Sequence, residues 1–151
     1  MREVKRSALV AQPPSRLFAL INDIESYPRF LPWCTNARVE SRSEREIVAT
    51  IGVKRGPLHG SFTTRNELEP ERRILMHLLR GPFRSLEGEW LLSPVGEAGC
   101  RVELAMRFAF KSSLHGLLFE QIFADTASSL VDAFVARSRA TPAAADGAAG
   151  P

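Results

Sequence analysis

The C-terminal run from Ser112 to Arg139 constrains the fold most, because it is the one segment of the sequence that reads as a long helix. Its apolar side chains recur at helical spacing and form a main row and an adjoining row: Phe119, Phe123, Ala127, Leu130 and Phe134, then Leu114, Leu118 and Ile122. A helix of this length spans roughly 40 Å. Its apolar face is too wide for a narrow two-helix contact, so it predicts a broad partner such as a curved sheet.

Between residues 35 and 110 the hydrophobic period changes to strict alternation, which predicts β-strands. Turn-forming residues divide this part into six strands, at 35–42, 45–54, 59–68, 72–79, 84–93 and 100–110. Connections as short as these join antiparallel neighbours. The last strand is the clearest, because buried-type side chains alternate there with Arg101, Glu103 and Arg107. One face of the sheet is therefore expected to be buried and the other exposed.

The N-terminal part adds a first strand at residues 2–10 and two short helices. Pro13-Pro14-Ser15 is expected to open the first helix, since proline suits a first turn, whereas Pro28 is expected to begin the second helix and Pro32 to end it. The predicted fold class is α+β, with a seven-stranded antiparallel sheet curled around the C-terminal helix. Residues 1–140 are expected to form this domain, and residues 141–151 a disordered tail.

Composition and motifs argue against several functional classes. The formal net charge of +3 permits contact with RNA or an anionic membrane surface without arguing for either. Cys34 and Cys100 lie far apart, and no histidine or cysteine has metal-ligand spacing, so neither a disulfide framework nor a metal site is expected. The charged N-terminus does not resemble a signal peptide, and no run is long enough to span a membrane. A cytoplasmic protein is therefore expected.

The sequence offers no arrangement of catalytic groups. It contains no phosphate-binding loop, dinucleotide fingerprint or nucleophile motif. Glu87 and Glu89 share one face of a predicted strand, but that face is the exposed one, so they make a poor acid–base pair. We therefore expect a protein that is not an enzyme.

Two features bear on whether the interior is filled or hollow. Thr64 and Asn66 fall on the inward face of their strand, where polar groups need partners or a cavity. The segment Tyr27–Cys34 is rich in aromatic residues for a connector. It is either a lid that plugs one end of the core or the mouth of an apolar ligand site.

Three stretches together resemble a known family: Tyr27-Pro28-x-Phe30-Leu31-Pro32-Trp33-Cys34, Phe62-Thr63-Thr64-Arg65-Asn66 and Gly81-Pro82-Phe83-x-x-Leu86-x-Gly88-x-Trp90. With the order of elements, they are similar to the coenzyme Q-binding START-domain family. That family includes the bacterial ribosome-association toxins of the RatA type and lies within the polyketide cyclase/dehydrase and lipid transport superfamily. The resemblance implies a helix-grip fold of the START or Bet v type around a hydrophobic tunnel.

The resemblance implies two functions of different classes. One is non-catalytic binding of an isoprenoid quinone such as ubiquinone, or of a similar lipid, in support of respiration and with no required cofactor. The other is binding to the large ribosomal subunit, which blocks subunit association. A cyclase or dehydrase is a third reading. No DNA partner is implied, and peripheral contact with the inner membrane is compatible with the first function.

For the quinone function, the candidate site is an apolar tunnel between the sheet and the C-terminal helix. Its mouth would consist of Tyr27, Phe30, Leu31 and Trp33. Its wall would include Phe62, Phe83, Leu86, Trp90, Phe108, Leu118, Ile122 and Phe123. For the ribosome function, the candidate phosphate contacts are Lys54 and Arg55, beside the Gly56-Pro57 turn.

Overall fold

A computed structural model describes residues 1–111 and 116–140. The strands are β1 (Arg2–Val10), β2 (Cys34–Arg42), β3 (Glu46–Arg55), β4 (Leu58–Glu69), β5 (Arg73–Arg80), β6 (Phe83–Val95) and β7 (Gly99–Phe110). The helices are α1 (Pro14–Asn22), a 3-10 helix (Ile24–Arg29), α2 (Gly116–Ser128) and α3 (Leu130–Ala140). The predicted α+β fold is therefore confirmed.

All seven strands form one antiparallel sheet in the order β1-β7-β6-β5-β4-β3-β2. Strands β2 to β7 are a meander of hairpins, as their short connections predict. Strand β1 pairs with β7 and forms one edge of the sheet, with Val4 opposite Met106. Each of the six strands predicted after residue 34 lies within two residues of its predicted bounds.

The alternation of side chains along β7 is confirmed. Leu104, Met106 and Phe108 are buried, whereas Arg101 and Arg107 are exposed. A shift of one residue in the pairing would reverse every side chain, so the buried apolar set fixes the register of the sheet. The concave face therefore forms the core together with the helices, and the convex face carries the charges.

The predicted C-terminal helix is confirmed from Gly116 to Ala140, but as two consecutive helices with Ser129 between them. The cause is local hydrogen bonding. The Ser129 N–H donates to the Thr126 carbonyl at 3.1 Å, three residues back, and the Ser129 hydroxyl donates to the same oxygen at 2.6 Å. Hydroxyls that compete for backbone carbonyls in this way bend helices. The predicted helix start at Ser112 or Ser113, like Leu114, lies outside the described residues.

The two short helices after β1 are present, but the prediction that Pro28 begins the second one is wrong. The 3-10 helix runs from Ile24 to Arg29 and contains Pro28. It begins where the Asp23 carbonyl accepts the Ser26 N–H at 3.1 Å and the Asp23 carboxylate accepts the Ser26 hydroxyl at 2.7 Å. The helix therefore begins at these bonds between Asp23 and Ser26, and Pro28 lies inside it.

Candidate ligand cavity between the sheet and the C-terminal helices

One part of the interior is a solid cluster of aromatic rings, which we call the phenylalanine cluster. Its members come from β4, β6, β7 and α2, and neighbouring ring centroids lie 4.5 to 6.4 Å apart: Phe62, Phe83, Phe108, Phe110 and Phe123. Most pairs meet edge to face, the arrangement that the ring quadrupole favours. The cluster fixes α2 against the sheet.

A second aromatic group holds α3 and the 3-10 helix together. The Phe134 ring lies 5.4 Å from Tyr27, 5.4 Å from Phe30 and 5.5 Å from Trp90. The Tyr27 hydroxyl donates to the Ile21 carbonyl. Burial raises the pKa of the Tyr27 phenol well above its usual value, so this group stays neutral.

Between these two aromatic groups lies an enclosed cavity of about 70 Å³. Its lining is mostly apolar and includes half of the predicted site residues: Tyr27, Trp33, Phe62, Leu86, Trp90 and Phe123. Leu31, Phe83 and Phe108 are buried in the adjoining core, and Phe30 and Ile122 pack against it half-buried. Leu118 does not line the cavity. Its side chain is 50% exposed, although Ile122, one turn later, packs against the core.

The cavity also has lining residues that the predicted site did not include: Ile24, Ala49, Ile51, Met76, Met106, Thr126, Ala127, Leu130 and Phe134. Strand alternation and helical spacing place most of these side chains inward, but neither pattern shows where space remains between them. Gly88 of β6 marks one such place. A Cβ at this position would collide with the end of the Met76 side chain, so the absence of a side chain makes room for the thioether.

Thr64 and Asn66 form the polar part of the cavity wall. Both are buried, and the Thr64 hydroxyl donates to the Asn66 side-chain oxygen at 2.8 Å. This bond satisfies the predicted need of two inward polar groups for partners. A primary amide also has two N–H donors. No partner for them is recorded among the described residues, so they are available to an acceptor in the cavity.

A bridge between β3 and α2 separates the cavity from an open cleft. The Arg55 guanidinium donates to the Thr126 hydroxyl at 3.2 Å, and that hydroxyl donates to the Ile122 carbonyl at 2.8 Å. Thr126 lines the cavity, whereas Arg55 lines a cleft of about 670 Å³ together with Lys54. Trp33 lines both spaces. The cavity and the cleft therefore share Trp33 as a lining residue, and the hydrogen bond between Arg55 and Thr126 lies between them.

The geometry is suited to binding rather than to acid–base chemistry. Apart from the neutral Tyr27 phenol, the described lining contains no titratable side chain. Across residues 1–111 and 116–140, no group of three or more potential metal ligands comes together. The cavity is larger than one water molecule requires but well below the roughly 300 to 1,000 Å³ of ordinary ligand pockets. A long-tailed ligand would have to widen it.

This combination of a curved antiparallel sheet, C-terminal helices and an enclosed apolar cavity defines a helix-grip fold of the START or Bet v1 type. The crystal structure of the Zhui aromatase/cyclase from Streptomyces sp. R1128 superimposes with a TM-score of 0.83 over 95% of this chain and 97% of that one, at 17% identity. At a sequence identity this low, the similarity shows a shared fold and not a shared function.

Sequence comparisons identify the family. Residues 10–135 match the family described as "Polyketide cyclase / dehydrase and lipid transport", and the chain belongs to it. The ribosome association toxin RatA of Vibrio cholerae is 41% identical over 139 residues, which cover 92% of this chain and 96% of that protein. The mitochondrial coenzyme Q-binding protein coq10 of Schizosaccharomyces pombe is 27% identical over 145 residues, which cover 89% of this chain and 85% of that protein.

Proposed function

We propose that the chain is a non-catalytic binding protein for an isoprenoid quinone or a lipid of similar shape, whose apolar part enters the cavity. The observation that carries the proposal is an enclosed apolar space that contains one buried polar pair, Thr64 and Asn66, and no acid–base group. A carrier needs no more chemistry than this. The description of the family as lipid transport, and the name of the yeast relative, support the same conclusion.

The polar pair is suited to the head of such a ligand. Quinone carbonyls are hydrogen-bond acceptors, and the Asn66 amide offers N–H donors within the cavity wall. The bond from Thr64 to the Asn66 oxygen fixes the amide so that its nitrogen, not its oxygen, is left for the ligand. A buried donor that gains an acceptor adds both affinity and selectivity.

The tail must displace side chains that can move. Met76 and Met106 line the cavity, and methionine adapts its shape more easily than a branched or aromatic residue. Trp33 lines both the cavity and the open cleft, and the hydrogen bond between Arg55 and Thr126 bridges the residues on either side. The small cavity is therefore compatible with a longer ligand that rearranges the methionines and opens this bridge.

Titration with short-tailed and long-tailed quinones tests the proposal, with quenching of Trp33 and Trp90 fluorescence as the signal. Because each buried CH2 contributes about 0.8 kcal/mol, the long-tailed quinone should bind far more tightly. The variant Trp33→Phe leaves Trp90 as the reporter inside the cavity, and Asn66→Leu should weaken binding of both quinones. Equal affinities for both tails, or no saturable binding, would contradict the proposal.

Association with the large ribosomal subunit is the second candidate function. The name of the Vibrio cholerae relative supports it, and so do the exposed Lys54 and Arg55 at the β3–β4 hairpin. If it holds, purified protein should sediment with large subunits, and salt should weaken the association steeply. Charge reversal at Lys54 and Arg55 should release the protein. Sedimentation that this double reversal leaves unchanged would remove the hairpin from the interface.

A further inference from the structure

The two ends of the sheet differ in charge. The antiparallel order brings the β3–β4 hairpin, the β5–β6 hairpin and the end of β7 to one end, which we call the basic end. Residues 54–59 and 79–84 together with Lys111 carry five cationic side chains and no carboxylate. The turns at the opposite end, residues 42–46, 69–73 and 95–99, carry four arginines and five glutamates. The basic end therefore has a local excess of charge that the small net charge of the chain conceals.

Most of this charge is not neutralised within the described part of the chain. Lys54, Arg84 and Lys111 are exposed, and no ion pair is recorded for them there. Arg55 bonds to the neutral hydroxyl of Thr126, so its charge also remains. Only Arg80 is compensated, by Glu40 at 2.8 Å. Two helix carboxylates lie at the same end: Glu120 accepts the Phe110 N–H at 3.3 Å, and Asp132 lines the cleft together with Lys54 and Arg55. Four cations without an ion pair therefore remain available to an anionic partner.

Exposed leucines accompany these cations. Leu117 is 84% exposed and Leu118 is 50% exposed in the first turn of α2. That turn lies at the basic end, because the Phe119 ring is 5.8 Å from the ring of Phe110, the last residue of β7. Leu79, in the β5–β6 hairpin, is 46% exposed. One exposed leucine is ordinary, as Leu9 at the opposite end illustrates with 61% exposure, but three near cations without an ion pair favour a partner that is both anionic and apolar.

We propose that the basic end docks onto an anionic lipid bilayer. Lys54, Arg84 and Lys111 would contact the lipid phosphates, and the leucines of α2 would enter the boundary between headgroups and acyl chains. The phosphate backbone of an RNA would use the cations but has no apolar layer for the leucines. Lys54 and Arg55 also line the cleft outside the cavity. If the proposed lipid or quinone binding holds, docking would therefore place this cleft, which shares Trp33 with the cavity, at the membrane.

Co-sedimentation with vesicles tests the docking, with the full chain and with vesicles of phosphatidylcholine alone or in equal parts with phosphatidylglycerol. The double variant Lys54→Glu, Arg84→Glu should lose on the order of 25-fold or more in affinity for the anionic vesicles, because each lost cation costs about fivefold. The control is the double variant Arg45→Glu, Arg72→Glu, which makes the same change of net charge at the opposite end. Its affinity for the anionic vesicles should stay much closer to that of the unchanged protein. Leu117→Ser with Leu118→Ser should weaken binding without changing charge.

Several outcomes would overturn the proposal. The unchanged protein could fail to bind anionic vesicles, the two charge-reversed proteins could lose equal affinity, or the leucine variant could bind as tightly as the unchanged protein. Release of the Lys54 and Arg84 variant from large ribosomal subunits, without any vesicle binding by the unchanged protein, would assign the basic end to RNA. Circular dichroism of each variant checks that it is folded.

The proposed function is tested separately, by titrating the unchanged protein with a short-tailed, water-soluble quinone. Quinone binding by the unchanged protein without vesicle binding would overturn the docking alone, whereas vesicle binding without quinone binding would overturn the proposed function alone.

Discussion

Helix α2 contacts both the phenylalanine cluster and the cavity, and the packing of its side chains differs between the two. Phe123 of α2 enters the phenylalanine cluster, where its ring lies within 6.0 Å of four other rings. One turn later Ala127 faces the cavity. Where large rings from the helix and the sheet meet, no space remains. Where a small helix residue faces Ala49, Met76 and the polar pair, space does remain. Dense packing and open space therefore fall on successive turns of one helix.

Truncation in the solid half should have the largest effect. Phe83 is 2% exposed and contacts four rings, so Phe83→Ala should reduce the free energy of unfolding by about 3–5 kcal/mol. Met76→Ala, in the hollow half, should cost about 2 kcal/mol, at the lower end of the usual range. Urea unfolding of both variants measures the difference. Equal losses would mean that the two halves are packed alike.

Enlargement of two alanines on α2 sharpens the comparison. Ala124 is buried away from the cavity, so Ala124→Leu should destabilise by about 1–3 kcal/mol through overpacking. Ala127→Leu points into the cavity and should cost less than about 1 kcal/mol. It should also abolish quinone binding, because it fills the space. If Ala127→Leu were the more damaging of the two in thermal unfolding, the cavity would not be open space.

The polar pair provides a third test. Thr64→Val keeps the shape of the side chain but removes the hydroxyl that donates to Asn66, and an unsatisfied buried acceptor costs about 1–3 kcal/mol. Thr50→Val is a matched control, because the Thr50 hydroxyl bonds to Glu40 at 2.5 Å and Thr63 at 2.7 Å on the convex face. Only Thr64→Val should also weaken quinone binding in the fluorescence titration. Equal weakening by both would exclude a direct role of the pair.

The smallest expected difference is between the alkylation rates of the two cysteine thiols, Cys34 and Cys100. Burial raises the pKa of Cys34 to about 11, so at pH 8 only about one molecule in a thousand carries the reactive thiolate. Its alkylation by iodoacetamide should quicken about tenfold per pH unit up to that value. Cys100, 0% exposed, should react more slowly than Cys34, which follows the cleft residue Trp33. Mass spectrometry of the labelled peptides measures the two alkylation rates. Equal rates would indicate that both thiols react only when the whole protein unfolds.

The sequence predicts the architecture well because alternation and helical spacing record which side of each element is buried. The strands and the inward set of β7 follow from this pattern alone. The break at Ser129 does not, because a serine within a helix either faces water or bonds the preceding carbonyl, and packing decides between the two. The start of the 3-10 helix depends likewise on the bond between Ser26 and Asp23 rather than on Pro28.

The site is less predictable than the fold, since a cavity is what remains after all side chains have been placed. Spacing indicates that Trp90 and Phe123 point inward, but it cannot show that Phe123 meets other rings while Ala127 leaves a gap. It also places Leu118 in one apolar row with Ile122, although Leu118 is half exposed and Ile122 packs against the core. The function is less predictable still, because relatives with ribosome-related and quinone-related names share one family.

The inward-facing glycine of β6 has a consequence for selectivity. At Gly88 the wall of the cavity is the thioether of Met76, a side chain with three rotatable bonds, and not a fixed Cβ. If the proposed binding holds, ligands of different girth would be accommodated by turning one side chain, while the pairing of Met76 with Gly88 across β5 and β6 stays in place. Amide hydrogen exchange in these strands should then be as slow with a bulky ligand as with a slender one. A binding protein built in this way discriminates by tail length more than by width.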